Sequence, residues 1–190
     1  MQYLAVLIVA ALVFGVCYLF DKGFEKAFRN KPQHKSGLAV RPNKRYAAFG
    51  AILIALGFAA IFASAGNTLL LAGGILILVM AAGLIIYYTT FGIFYDEDSF
   101  IYTSFGKKSV EYRYEDIRNQ QLYVVQGGST LIELHMADGS SVSVQSAMLG
   151  VYAFLDTAFA GWCRQKGINS DECAFYDPAN SCWFPGVEEN

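Results

Sequence analysis

The thiols and imidazoles that could act as nucleophile, base or metal ligand in this chain of 190 residues are few. They are Cys17, Cys163, Cys173, Cys182, His34 and His135, with Glu133 two positions before His135. Structural zinc sites draw their ligands from close pairs, because one tight turn must aim both at the same ion. The last three cysteines have nine and eight residues between them, which fits no such site. A catalytic nucleophile needs a base within hydrogen-bonding reach and a third group that orients the base. His34 sits in a charged loop, and His135 alternates onto the outward face of a strand beside Glu133. No phosphate loop, dinucleotide fingerprint, nucleophile elbow or zincin pattern occurs. The expectation is a protein that is not an enzyme, with no catalytic residue, cofactor or metal.

The elements around these residues are unusual in their charge. Residues 1–20 and 46–95 contain no Asp, Glu, Lys, Arg or His. Uninterrupted apolar runs of 18 or more read as membrane spans. The first run gives one span over 2–20. It lacks the basic start and the small-residue cleavage site of a signal peptide. The second run is too long for one crossing, since about 20 helical residues span the hydrocarbon core. Its polar break at residues 64–68 divides it into a helical hairpin, 46–65 and 68–88. The expected architecture is thus an α-helical membrane region of three transmembrane helices, followed by an antiparallel β domain. The segments are 1–20, a basic loop 21–45, the hairpin 46–90, the β domain 91–167 and an aromatic tail 168–190.

The loop 21–45 holds Lys22, Lys26, Arg29, Lys31, Lys35, Arg41, Lys44 and Arg45 against Asp21 and Glu25, a net charge of +6. Short Lys- and Arg-rich loops stay on the cytoplasmic side. That orientation puts the N-terminus outside and residues 89–190 in the cytoplasm, in a multi-pass protein of the cell membrane. The three thiols of the β domain are then expected to be free. The loop has two further readings. Phe24 and Phe28, flanked by Lys22, Lys26 and Arg29, suit a short interfacial helix that senses anionic lipid. Alternatively the loop meets residues 91–190, whose six basic and fourteen acidic residues give −8. That acidity excludes nucleic acid as a partner. No ionisable group lies within a span, which argues against transport or gating. Ala47, Ala51, Ala55, Ala59 and Ala63 recur every fourth residue. Such a small-residue stripe serves close helix packing, within the hairpin or in a homo-oligomer.

From residue 91 the period becomes two. Val110, Tyr112 and Tyr114 alternate with Glu111, Arg113 and Glu115, and Ile132, Leu134 and Met136 with Glu133 and His135. This is the pattern of half-buried strands. Asp138-Gly139 is a hairpin signal. Val151, Phe154, Leu155, Ala158, Phe159 and Trp162 then follow helical spacing. Six or seven strands closed by one helix are expected.

The stretch YDEDSFIYTSFGKKSVEYRYEDI, residues 95–117, resembles the first half of a bacterial pleckstrin-homology-like domain. LIELHMADGSSVSV, residues 131–144, resembles its later hairpin, and 148–166 its capping helix. The resemblance is to small bacterial membrane proteins that carry a helical hairpin before such a domain. It implies a bent sheet or barrel of six or seven strands with a C-terminal helix. It also implies peptide sites at a sheet edge or beside the helix. In eukaryotic relatives a basic first hairpin loop often binds phosphoinositides. Here that turn is Asp96-Glu97-Asp98, which disfavours an anionic headgroup. Lys107, Lys108 and Arg113 form the basic cluster at the next turn. The tail carries Phe175, Tyr176, Trp183 and Phe184, too aromatic for disorder. Those rings dock on their own domain, on the membrane surface or on a partner. The functional expectation is a membrane-anchored interaction protein that presents this domain to a protein partner, with the lipid bilayer as its other contact. The alternative is lipid sensing through the loop 21–45. Candidate contact residues are Lys22, Phe24, Lys26, Phe28, Arg29, Lys107, Lys108, Arg113, Trp183 and Phe184.

Overall fold

The computed structural model describes residues 29–104, 108–125 and 128–187, together with Gly15, Tyr18 and Lys22. The expected span 2–20 therefore lies almost wholly outside the described residues, as do Phe24, Lys26, Phe28 and Lys107. The chain forms two compact units, Met1–Arg29 with Asn43–Phe91, and Asn30–Pro42 with Gly92–Asn190.

The first unit contains two long helices, α2 (Arg45–Ala63) and α3 (Thr68–Thr90), both long and apolar enough to cross a membrane. At 1.5 Å per residue they extend about 28 and 34 Å. Most of their apolar surface is exposed, including Phe49, Leu56, Phe62, Leu76 and Val79, as expected of chain that faces hydrocarbon rather than water. The connecting turn lies where the polar break predicts it. Ala65 and Gly66 adopt positive φ of 40° and 91°. The Asn67 side chain accepts from the N–H groups of Leu69 and Leu70 at 3.0 and 3.2 Å, satisfying donors that the helix start leaves open.

The seam between these helices is made by glycines rather than by the alanine stripe. A Cβ at Gly57 would lie 2.7 Å from Leu78 Cδ2 and 3.1 Å from the Gly74 carbonyl oxygen. One at Gly74 would lie 3.0 Å from the Gly57 oxygen, and one at Gly50 2.8 Å from Ile85 Cγ1. Gly50 and Gly57 are seven apart, as are Gly74 and Ala81, so each pair stays on one face. The alanines are four apart, and each step rotates the position by about 40°. Over sixteen residues the stripe leaves the seam. Ala47, Ala51 and Ala55 are half-buried, whereas Ala59 and Ala63 are exposed.

In the second unit a short helix, α1 (Pro32–Lys35), leads into β1 (Leu38–Val40). Residues 30–42 of the basic loop thus belong to the folded unit. β2 (Gly92–Tyr95), β3 (Ser99–Thr103) and β4 (Val110–Arg113) complete an antiparallel sheet in the order β1-β2-β3-β4. A 3₁₀ turn at Tyr114–Asp116 passes to a second antiparallel sheet, β5 (Ile117–Val124), β6 (Thr130–Met136) and β7 (Ser141–Gln145). Helix α4 (Val151–Lys166) follows. Each sheet has an apolar face that must be buried. Ile93, Phe100, Tyr114, Ile117, Ile132, Leu134, Val142, Val144, Phe154 and Leu155 are sealed in the core. Val110 departs from the predicted alternation and is exposed at the edge strand β4.

The charge of the loop does meet acid in this unit. Lys31 pairs with Glu111 at 3.1 Å, and Gln33 Nε2 donates to Glu111 Oε1 at 2.6 Å and to Ser99 Oγ at 2.7 Å. The exposed ion pair contributes at most about 1 kcal/mol. Strand pairing of β1 with β2 and full burial of Val40 hold the segment more firmly. Gly150, at φ 80°, starts α4 beside this strand, and a Cβ there would lie 2.6 Å from the Ala39 oxygen. Only glycine suits both the left-handed conformation and the close approach.

Candidate functional site

The site that stands out is the free edge of β5 and the face of α4 next to it. A β-bulge between Ile117 and Asn119 shifts the register with β6. The shift turns Gln120 inward, where 3% of its surface remains exposed. Its backbone N–H donates to the Pro185 oxygen at 2.8 Å. Its side-chain Oε1 accepts from the N–H groups of Trp183 and Phe184 at 2.9 and 3.0 Å, and Nε2 donates to the Ser181 oxygen at 2.9 Å. Gln120 and Gly186 form a parallel bridge. One glutamine therefore presents to the tail the donors and acceptors that a neighbouring strand would offer.

The tail's side chains fill the space between this edge and α4. Trp183 is fully buried, donates from Nε1 to Asp156 Oδ1 at 2.8 Å, and packs on Tyr152. Phe184 is buried edge-on against Phe159 and Trp162. Tyr176 stacks on Phe159 with centroids 4.0 Å apart. Trp162 Nε1 donates to the Ile117 oxygen at 2.9 Å, fixing the helix to the strand it faces. Two local caps shape the approach. Asn169 caps the turn Ser170–Glu172, and Asp177 caps Pro178–Asn180.

Beside this region lies an open cleft of about 610 Å³, lined by Asp156, Phe159, Cys163, Asn169, Cys173 and Tyr176 among others. Its chemistry is muted. Burial, with the neighbouring Cys173 thiol, pushes Cys163 up to about 11. A thiol so held stays protonated at neutral pH, and it is the thiolate that attacks or binds metal. Cys163, Cys173 and Cys182 are free thiols. Among the described residues no three of His, Cys, Asp and Glu come together as metal ligands. His135 is half-buried on the outer face of the second sheet, opposite Asn119 and Ser141. The cysteines lie elsewhere, on α4 and in the tail.

The candidate contact residues are dispersed. Trp183 and Phe184 are interior, docked on their own domain as one of the three expected arrangements has it, so their rings are unavailable to a membrane or partner while the tail is docked. Arg113 is exposed and pairs with Glu115 at 2.9 Å, and Lys108 is exposed. Lys22 and Arg29 are exposed in the other unit. The acidic turn before β3 is tied down from α4, where Arg164 contacts the Asp98 carboxylate at 2.8 Å. Gln120, the centre of the site, was not anticipated, because the bulge breaks the alternation that would have flagged an inward polar residue. Comparison with protein-family models, curated proteins and solved structures finds no match for this chain.

Proposed function

We propose that this protein is a membrane-anchored, non-catalytic interaction protein. Its second unit is a pleckstrin-homology-like domain that presents the β5 edge and the α4 face to an extended segment of a protein partner. The run of β2–β4, β5–β7 and the closing helix α4 along residues 92–166 supports the resemblance carried by residues 95–117, 131–144 and 148–166, while β1 joins the first sheet from before the two apolar helices. The apolar helices α2 and α3 support a multi-pass anchor. The basic loop favours a cytoplasmic location for residues 89–190, with the N-terminus outside.

One observation carries the functional reading. The β5 edge holds an extended aromatic segment through a backbone hydrogen bond and the three bonds of Gln120. Strand-edge recognition works in this way, with main-chain bonds for affinity and pockets for side chains. The tail occupies the site in cis, where a short connection gives it an effective concentration in the millimolar range. A partner with a matching segment competes by displacing it.

The test is binding in trans. The chain shortened to end at residue 180 is offered a synthetic peptide of residues 177–187. Saturable binding that is lost in Gln120→Ala, and that the intact chain resists, is the expected result. If the shortened chain remains folded, by the emission of Trp162, and does not bind the peptide, the edge is not a recognition site.

A further inference from the structure

We propose that Cys163 and Cys173 form a paired thiol site, which a small disulfide of the class of oxidised glutathione converts to an intramolecular disulfide at the root of the tail. This goes beyond the recognition reading above and holds whether or not the β5 edge takes a partner.

Nine residues lie between the two cysteines, and the end of α4 brings them together. The helix carries Cys163, buried, in its last turn. The chain reverses at Gly167, at φ 69°, and the Ile168 N–H returns to the Cys163 oxygen at 2.9 Å. Asn169 then caps the turn Ser170–Glu172, and its backbone oxygen accepts from the Cys173 Sγ at 3.7 Å. Both cysteines therefore line one open cleft, and Cys182 does not. The Cys173 thiol is also the neighbour whose charge and hydrogen bonding act on the Cys163 thiol. Cys182 is held separately. Its N–H and oxygen pair with the backbone of Asp177, and its Sγ turns to the Asn180 oxygen at 3.6 Å.

The two thiols differ in access, and that difference sets the order of the chemistry. Cys173 is half-exposed, whereas Cys163 is buried. Exchange starts from a thiolate that can reach the incoming disulfide. The Cys173 thiolate attacks one sulfur of the small disulfide, forms a mixed disulfide and releases a small thiolate, which takes up the proton that Cys173 lost. The Cys163 thiol then attacks the Cys173 sulfur. The Cys163–Cys173 bond forms, and the second small thiol leaves with the proton of Cys163. Two protein thiols lose two electrons, and one small disulfide is reduced to two thiols. The second step is intramolecular, between groups already held in place. An excess of small thiol reverses both steps, as in the transient redox disulfides of reducing compartments. The bond acts where the tail begins. The Tyr176 N–H donates to the Cys173 oxygen at 3.0 Å, and the Tyr176 ring stacks on Phe159. Joining Cys173 to α4 ties down the point from which the tail leaves the cleft.

The test uses the full chain in detergent, incubated with oxidised glutathione, quenched with acid, alkylated under denaturing conditions and mapped by mass spectrometry without reduction. The folded chain should lose two alkylatable thiols, recovered as one peptide pair joined through Cys163 and Cys173, and dithiothreitol should restore both. The same treatment in urea should scatter the bonds among other cysteine pairs. These readouts come from the unaltered chain, so no variant has to fold. In Cys182→Ser the bridge should form unchanged, and in Cys163→Ser the reaction should stop at glutathione on Cys173. A disulfide needs Cα atoms within about 7 Å of each other. Glutathione retained on Cys173 of the unaltered folded chain, with Cys163 still free, would show that the pair does not meet that condition and would overturn the proposal. An unchanged thiol count, bridging through Cys182, or the same mixture of pairs in urea and in native buffer overturns it as well.

Discussion

Gly161 on α4 faces the ring of Tyr114, and replacing it with alanine sets two effects of opposite sign against each other. In a helix interior alanine is favoured over glycine by about 1 kcal/mol. Against this, the added Cβ would stand 2.3 Å from Tyr114 Cδ2 and 3.0 Å from Cε2. Carbon atoms prefer about 3.5–4.0 Å, so helix or ring must give by more than about 1 Å. The ring has little freedom. It is fully buried, its hydroxyl donates to the Asp96 oxygen at 2.6 Å, and it stacks on Phe100. Overpacking of this kind costs about 1–3 kcal/mol, and the fixed ring places it at the upper end. Gly161→Ala should therefore destabilise the unit by about 1–2 kcal/mol net, combining the two effects. The assay is urea unfolding of the detergent-solubilised chain, followed by tryptophan emission. The two tryptophans, Trp162 and Trp183, both belong to the second unit, so the signal reports that unit. With a slope of about 2 kcal/mol per molar, the midpoint should fall by roughly 0.5–1 M. In a Tyr114→Leu background the same change should cost nothing or stabilise, a coupling of at least about 1 kcal/mol. A raised midpoint for Gly161→Ala alone would refute the close approach.

Other changes follow from the same geometry. Gln120→Ala leaves the buried N–H groups of Trp183 and Phe184 without acceptors, at about 1–3 kcal/mol each; the tail should become sensitive to protease and Trp183 emission should shift to the red. Gly57→Leu should force α2 and α3 apart and lower the thermal stability of the hairpin in detergent, whereas Gly73→Leu and Gly83→Leu, with open space at the Cβ, should not. A membrane-impermeant thiol reagent should label the half-exposed Cys173 only after cells are permeabilised, and Cys163 only after denaturation; labelling of Cys173 in intact cells would invert the topology. Burial raises the pKa of Cys163 to about 11 and that of Tyr114 above its usual value. Both groups hold their protons more tightly folded than unfolded. Their contribution to stability is complete below about pH 8.5, the ordinary thiol value, and is lost as pH rises through the folded values. Denaturation at constant ionic strength between neutral pH and pH 11 measures it.

Much of the architecture was legible in the sequence because it rests on strong periodicities. The polar cluster at residues 64–68 gave the hairpin turn, and the alternation Ile132, Leu134, Met136 gave β6 with its inward face. What escaped was short or out of phase. β1 is three residues within a run of charge, too brief for any period to register, and its pairing with β2 is non-local. The alanine stripe looked like the helix seam because a spacing of four nearly closes a turn, but it drifts by about 40° at each step of four residues, whereas the spacing of seven at Gly50 and Gly57 drifts by only about 20° over seven. Gln120 faces inward only because of the bulge before it, which leaves no mark in composition. The aromatic tail announced that it would dock, but composition alone left its target open among its own domain, a membrane and a partner.

The proposed function requires the tail to be a displaceable occupant of the β5 edge rather than a fixed part of the core. Native-state hydrogen exchange of the full chain tests this most directly, by comparing the N–H groups of Trp183 and Phe184 with those of Ile132 and Leu134 in β6. In a displaceable tail these amides exchange through a local opening of lower free energy, while the β6 amides exchange only on global unfolding. Equal protection at both places would make the tail integral to the fold and rule out its displacement by a partner.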